Sequence, residues 1–378
     1  MLKPSVLQVL PSLGVGGVER GTVDIANYLV KNGCRSVVIA SSGCMVSRLH
    51  NDVTYIEDDY IGSKNPILIA TRNAKKIREI VKQYDINIVH VRSRAPAFSC
   101  KIAFRKIAKS CKLLTTFHGI YGAKFLLKRY YNSIMIMSDK VIAVSDFVKN
   151  HIINTYRYDG SNVVTINRGV DTSFFNPNSI TEERISAMMN CWAPLEDKRI
   201  ILLPSRLSDW KGHDLMLDAM NILRRDDIVC VMFYDTSGAN LRSRLEDRIS
   251  RYNLHSSIKF VPYTDDIATA YFLSSLVVVP STKPEAFGRT PVESMAMGRL
   301  TIAADIGAMH DTIVHGKTGW LFDVSNPKAL ADAINIALDL SEDESNLIKR
   351  NAIKHVMENF TCEKMCQETL ALYYKMLQ

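Results

Sequence analysis

Two glutamates eight positions apart, Glu285 and Glu293, frame the stretch Glu285-Ala286-Phe287-Gly288-Arg289-Thr290-Pro291-Val292-Glu293. Carboxylates accept hydrogen bonds from neighbouring hydroxyls, so one can grip a sugar and the other a ribose. Between them Gly288, which has no Cβ, lets backbone amides come close to the sugar and phosphate, and Phe287 beside it is expected to line the same donor site. Farther upstream, Arg206 and Lys211 flank the loop Leu207-Ser208-Asp209-Trp210, which ends at Gly212. A guanidinium fork and an ammonium point charge suit a diphosphate and would stabilise it as a leaving group. Ordinary surface charge is the competing reading of that pair, as a helix cap is of Glu293. Thr290-Pro291-Val292-Glu293 has the form of a capping box, with Thr at the N-cap, Pro at the first helical position and Glu at the third. The cap accounts for Glu293 alone; the whole segment favours a ligand.

A second group lies near the N-terminus. In Leu13-Gly14-Val15-Gly16-Gly17-Val18-Glu19-Arg20, Gly16 and Gly17 allow an anion to approach amides at the start of a helix. A dinucleotide site fits less well, because the third glycine of that fingerprint is Glu19 here. The second strand also ends without the acid that would hold a ribose. A tight turn without ligand remains the plain alternative. Thr116-Phe117-His118-Gly119 ends another apolar run and places an imidazole, expected to titrate near neutrality, where it could bond a sugar hydroxyl or stabilise developing positive charge, a structural or merely exposed histidine being the plain alternative.

The elements that position these residues are short apolar runs alternating with helical stretches. In the first half the strands are Ser5–Leu10, Arg35–Ala40, Ile86–Val91, Lys112–Phe117, Lys140–Ser145 and Val163–Asn167. They lack polar alternation, as strands covered on both faces do. Helical spacing marks Val18–Lys31, Pro66–Tyr84, Pro96–Ser110 and Phe147–Tyr156. After a linker near Asp171–Ser179 the pattern restarts with Ile200–Pro204, Val229–Tyr234, Ile258–Val261, Leu276–Pro280, Leu300–Ala304 and Trp320–Phe322. Two βαβ series predict two Rossmann-like, doubly wound domains facing a cleft, with ligand loops beyond the carboxyl ends of the strands. The expected boundaries are 1–170 and 171–361, with a C-terminal helix at about 362–378 packing back on the first domain.

Composition narrows the function further. Of 378 residues, 47 are Lys or Arg and 39 Asp or Glu, a net charge of +8. The charge is uneven: residues 1–170 carry 25 cations against 11 anions, the rest 22 against 28. A basic half attracts anionic partners such as phosphates or membrane surfaces. Lys101, Arg105 and Lys109 recur every fourth residue on the Pro96–Ser110 stretch. Lys124, Lys128 and Arg129 alternate with Phe125, Leu126, Leu127 and Tyr130, a composition suited to an anionic membrane surface. A solvated helix face followed by a core helix is the alternative. No nucleic-acid-binding motif accompanies the charge, so a nucleic-acid partner is not expected. The apolar N-terminus is too short for a signal peptide and no run is long enough to span a bilayer, which predicts a cytoplasmic protein. The eight scattered cysteines offer no metal-site spacing, and no D-x-D sequence occurs.

Taken together, these motifs resemble the retaining glycosyltransferases of family 4, which have the GT-B fold. The resemblance rests on Gly16-Gly17-Val18-Glu19-Arg20, His118-Gly119, Ala143-Val144-Ser145, Asn167-Arg168-Gly169-Val170-Asp171, Arg206 with Lys211-Gly212, Glu285 through Glu293, and His315-Gly316-Lys317-Thr318-Gly319. It implies that Gly16 and Gly17 meet the donor diphosphate and His118 the transferred sugar. Arg206 and Lys211 would bind the diphosphate, Glu285 the sugar hydroxyls and Glu293 the ribose. Family members need no metal or other cofactor, the nucleotide sugar (UDP- or GDP-linked) being a substrate. The chain departs from the family at Arg168, where asparagine is commoner, at Tyr234-Asp235-Thr236-Ser237-Gly238, and at Ile306-Gly307-Ala308-Met309-His310-Asp311.

The expected reaction is transfer of a hexose or N-acetylhexosamine to a glycan or lipid-linked acceptor, in lipopolysaccharide or envelope polysaccharide synthesis. The acceptor hydroxyl would enter on the face the nucleotide leaves, so that catalysis is positioning plus charge stabilisation. Double displacement would need a carboxylate beneath the anomeric carbon, and no residue is singled out for it. A nucleotide-sugar epimerase of the same fold is the alternative enzyme.

Overall fold

The computed structural model describes residues 2–108, 110–122, 125–193, 195, 198–234 and 239–378. The chain divides into two compact units, Met1–Gly169 with Cys362–Gln378, and Val170–Thr361.

The N-terminal unit is built on a parallel sheet of seven strands in the order β3-β2-β1-β4-β5-β6-β7. The strands are β1 (Ser5–Ser12), β2 (Arg35–Ser41), β3 (Thr54–Glu57), β4 (Ile88–Val91), β5 (Lys112–Phe117), β6 (Lys140–Ala143) and β7 (Val163–Thr165). Strand β3 has no counterpart in the sequence reading. It is a four-residue edge strand of half-buried and exposed residues, Thr-Tyr-Ile-Glu, and so lacks the apolar run that marks the others. Valines, isoleucines and leucines of β1, β4 and β5 are buried, as a sheet covered on both faces requires. Helix Cys362–Met376 returns to this unit, setting Met365, Cys366, Leu372, Tyr373 and Met376 in one core with Val6, Ile25, Leu29, Ile88 and Leu114.

Two helices differ from their expected extents. The stretch at 66–84 is interrupted by a π turn at Ile69–Asn73, where fully buried Asn73 donates to the Tyr60 carbonyl. The basic stretch is helical only over Arg94–Ala103, followed by a 3-10 turn at Phe104–Lys106 and an extended Ile107. The four-residue spacing therefore does not make a continuous cationic helix face. Lys101 instead donates to the Met137 carbonyl at 2.9 Å. Arg105 is exposed, and Lys109 and Lys124 lie outside the described residues.

The C-terminal unit carries a six-stranded parallel sheet in the order β10-β9-β8-β11-β12-β13. Its strands are β8 (Arg199–Leu203), β9 (Ile228–Tyr234), β10 (Ile258–Pro262), β11 (Leu276–Val279), β12 (Leu300–Ala304) and β13 (Trp320–Phe322). One core lies on each face, one around Met216, Met220 and Ile334, the other around Trp192, Phe233 and Met295. In both sheets the strand order reverses beside the first strand, between β1 and β4 and between β8 and β11. Such a switch point opens a crevice at the carboxyl ends of the strands.

Candidate functional site

In the C-terminal unit Lys211 and Glu285 meet beyond the ends of β8 and β11. Beyond β8 the chain passes Arg206, makes a 3-10 turn at Asp209–Lys211 and enters helix His213–Leu223 through Gly212 at φ 78°. A Cβ on Gly212 would stand 1.8 Å from the Pro280 carbonyl oxygen, just past β11. Only glycine permits this approach, and it brings the two loops together. Thr282 fastens them, its backbone amide donating to the Trp210 carbonyl at 2.8 Å and its hydroxyl at 3.2 Å.

Lys211 consequently reaches Glu285. Its Nζ lies 2.7 Å from Glu285 Oε1, with the side chains 19% and 16% exposed. Ser281 Oγ donates to the same oxygen at 2.5 Å, and the ammonium sits 4.2 Å from the centre of the Trp210 ring. The loop carrying Glu285 is backed by Gly307, whose Cβ would lie 2.7 Å from the Glu285 amide nitrogen. Ala308 donates its amide to the Glu285 carbonyl at 3.0 Å. Ser281, Thr282 and Gly307 are absent from the sequence reading as site residues. The available signal is that each follows a strand end. Between the ends of β8 and β11 a cavity of about 10 Å³ touches Ser205, Lys211, Ser281 and Thr290. It has room for about one water. Ser205 Oγ is buried there without a partner.

Glu293 is placed differently from the capping box. Helix Arg289–Ala296 starts from Gly288 at φ 78°, so Thr290 is not its N-cap and Glu293 lies past the first turn. The left-handed conformation at Gly288 ends the loop two residues earlier than the Thr290 signal suggests. Arg289 donates to Glu293 Oε1 at 2.8 Å and the buried Tyr271 hydroxyl to Oε2 at 3.2 Å. Burial, and next Glu293, push the Tyr271 phenol well above its ordinary range, so it remains a donor. Each carboxylate oxygen keeps capacity for a further hydroxyl. The expectation that Phe287 lines the donor site is corrected: its ring is buried in the core, edge-on to Phe360 at 5.8 Å, so it supports the loop from behind. Arg206 is exposed. Burial foremost, with Asp265 and Glu293, raises the Tyr263 phenol, while Arg206 and Arg289 oppose the shift. Arg206, Arg289, Glu293 and Tyr263 thus share one electrostatic neighbourhood.

In the N-terminal unit, Gly16 caps helix Gly17–Lys31. The Glu19 carboxylate curls back over it, 2.3 Å from where a Cβ would stand. A Cβ on Gly17 would lie 2.5 Å from Arg168 Nη1, and Arg168 donates to the Gly17 carbonyl. Gly43, beyond β2, supports the loop from behind, with the Leu13 carbonyl 2.2 Å from its missing Cβ. His118 follows β5, and both its ring nitrogens are buried without a hydrogen-bond partner. The expectation of an imidazole titrating near neutrality is corrected here. Burial, then Arg168, Arg92 and His90, hold it well below that range and keep it neutral. A neutral imidazole can donate from one nitrogen and accept at the other, the pair of bonds a sugar hydroxyl uses. Beneath it, fully buried His90 bridges the Tyr373 hydroxyl and Thr116 Oγ1, each at 2.6 Å. The C-terminal helix is thereby tied to β4 and β5.

The sequence profile described as Glycosyltransferase Family 4 matches residues 15–174, and that of Glycosyl transferases group 1 matches residues 188–355. The crystal structure of a glycosyltransferase from Rickettsia africae ESF-5 is similar over 100% of this chain and 99% of its own. It is 37% identical, with a TM-score of 0.91. Anabaena Alr3699/HepE, in complex with UDP and glucose, covers 98% of this chain and 100% of its own at 20% identity and a TM-score of 0.80. The lipopolysaccharide core biosynthesis mannosyltransferase LpcC of Rhizobium leguminosarum bv. viciae is 29% identical over 221 residues, 56% of this chain and 59% of that protein. With two Rossmann-like sheets, a profile match in each half and a relative alike along its whole length, the chain belongs to glycosyltransferase family 4, with the GT-B fold.

Proposed function

We propose that this glycosyltransferase moves a hexose or N-acetylhexosamine from a UDP- or GDP-sugar to a glycan or lipid-linked acceptor, with retention at the anomeric carbon. The observation that carries the reading is the Lys211–Glu285 pair at the switch point of the C-terminal sheet. Its carboxylate faces sugar hydroxyls while its ammonium, with Arg206, faces the diphosphate. These cations supply the charge that a divalent metal would otherwise bring to the leaving group, so the reaction is metal-independent. Glu293 takes the ribose, Gly288 offers backbone near the sugar, and buried Phe287 holds that loop from behind. Gly16 and Gly17 approach the diphosphate and His118 a hydroxyl of the transferred sugar. The C-terminal unit is the donor domain and the N-terminal unit meets the acceptor. UDP in the Anabaena protein supports a nucleotide-linked donor, and the name of the Rhizobium relative supports an envelope polysaccharide or lipopolysaccharide product.

The acceptor side extends to a membrane surface in this reading. Among the described residues no helix is long and apolar enough to cross a bilayer. Helix Leu126–Ser133, however, presents Leu126, Leu127 and Tyr130, 83%, 85% and 71% exposed, with its N-cap residue Phe125 73% exposed. Exposed Lys128 and half-buried Arg129 interleave with them. Apolar side chains edged by cations fit the interface of an anionic leaflet. A cytoplasmic protein lying peripherally on the inner face of the plasma membrane would meet a lipid-linked acceptor there.

Release of sugar from UDP-, GDP- and ADP-sugars, with the anomeric form of the first product followed by NMR, tests the central reading. Hydrolysis of one donor class with retained configuration is the expected result. A free epimerised nucleotide sugar without transfer or hydrolysis would replace it with the epimerase alternative.

A further inference from the structure

We infer that Arg168, beside buried Arg92 and His118, seats an oxyanion, a phosphate or a carboxylate, at the glycine loop of the N-terminal unit. The inference rests on the proposed transfer for the source of that anion, which is either the donor diphosphate or an acidic group on the acceptor.

Arg92 stands at the switch point itself. It is the first residue after β4, and its amide donates to the Val9 carbonyl of β1 at 3.0 Å. Its side chain is 4% exposed. Nη2 donates to Gln8 Oε1 at 2.7 Å and to the Gly21 carbonyl at 3.5 Å, while Nε is buried without a partner. Among the described residues no carboxylate lies within ion-pair distance of this guanidinium; Asp24 acts on it only through longer-range attraction. A cation buried on neutral acceptors alone is held at a cost that a nearby anion would offset.

Arg168 brings a second guanidinium to the same place. A Cβ on Gly21 would stand 3.7 Å from Arg168 Nη2 and 4.0 Å from Arg92 Nη1, so both groups come to one side of the helix's second turn. Two like charges gathered at the N-terminus of a 15-residue helix, whose free amides also favour negative charge, make a field for an anion. The chain already places one carboxylate at this N-terminus, that of Glu19 over Gly16. His118 complements the seat rather than filling it. Its unpartnered nitrogens suit a hydroxyl, while the fork of Arg168 suits two oxygens of one anion.

The test uses the full chain, with UDP or GDP, whichever binds, measured by calorimetry, and inorganic phosphate titrated onto the nucleotide-saturated protein. Wild type, R168N and R168K are compared, with thermal midpoints to check folding. If the seat takes the donor diphosphate, R168N weakens the nucleotide about tenfold or more, as loss of a charge-assisted bond does, and R168K recovers part of it. If it takes an acidic group of the acceptor, nucleotide affinity stays within twofold. Phosphate then binds the nucleotide-loaded wild type and is lost in R168N. Unchanged nucleotide affinity together with no phosphate binding to loaded wild type overturns the inference. A chain that binds no nucleotide would defeat the donor reading instead. Phosphate titrated onto unliganded wild type and R168N then decides the seat alone, equal binding or none counting against it.

Discussion

Lys211 and Glu285 lie 74 residues apart in the chain, yet their side chains meet at 2.7 Å because Gly212 lets the loop after β8 rest on the loop after β11. The carboxylate also takes the Ser281 hydroxyl, so one of its oxygens is fixed by two donors. Its geometry is therefore set before a substrate arrives, which is what positioning catalysis requires.

Replacing either partner should cost activity far more than stability. For K211A and E285Q, turnover should fall by about 10²- to 10³-fold, the range for removing one preorganised electrostatic contact. The pair is partly exposed, so its loss should cost about 1–2 kcal/mol of stability, between values for surface and buried pairs. Steady-state kinetics beside urea unfolding separates the two effects. Wild-type turnover in K211A with every donor tried would remove Lys211 from the mechanism.

Two glycines that support this loop, and a third outside it, should be ranked by what a methyl group would strike. Gly212, Gly307 and Gly316 all have positive φ, at 78°, 68° and 73°. A Cβ at 212 would be 1.8 Å from a carbonyl oxygen and one at 307 would be 2.7 Å from a backbone nitrogen, while at 316 nothing lies within 4 Å. Gly316→Ala should thus lose only the backbone preference, about 1 kcal/mol. Gly307→Ala should lose about 2–4 kcal/mol and displace Glu285, and Gly212→Ala should lose more. Chemical denaturation of the three proteins gives the order directly, and equal losses would contradict it.

Acid should destabilise the fold well above the carboxylate range. His213 is 2% exposed, and burial pulls its imidazole down to about 4, with Lys211 adding to the shift and the Ser208 carbonyl and Asp214 opposing it. In the unfolded chain the same group titrates near 6.5. The unfolded state therefore takes up the proton first. The contribution is intact above about pH 6.5, declines as pH falls, and levels off below about 4. The full loss is roughly 3 kcal/mol. His90 and His118, also held neutral by burial, act in the same direction. Unfolding free energies between pH 7 and pH 4.5 should fall, and H213Q should show a shallower slope. A slope unchanged by that substitution would assign the effect elsewhere.

Much of this architecture is legible in the residues because both sheets are parallel and covered on both faces, which leaves apolar runs with clear ends. Lys112–Phe117, Leu300–Ala304 and Trp320–Phe322 have the same limits in sequence and structure. Strand β3 is not legible because an edge strand has no need of an apolar run. The Thr290 cap misleads because local chemistry favours it, yet Gly288 reaches a backbone conformation that starts the helix earlier. Loop-to-loop contacts are invisible for another reason. That Thr282 fastens Trp210, or that Gly307 backs Glu285, depends on which strands are neighbours, and the spacing along the chain carries no record of it.

Helix Leu126–Ser133 opens with two leucines that face water. In a water-facing position Leu126 and Leu127, more than four-fifths exposed, add nothing to the core, so changing both to serine should leave stability within about 0.5 kcal/mol. If the same leucines enter an anionic bilayer interface, the substitution should weaken vesicle binding about ten- to hundredfold, the value of two partly buried leucines. K128E should weaken it too, and its effect should fade with added salt because the charge is exposed. Co-sedimentation with vesicles containing acidic lipid, at low and at physiological salt, distinguishes these contributions. Wild-type protein that stays in the supernatant at low salt would show that these side chains face something other than lipid.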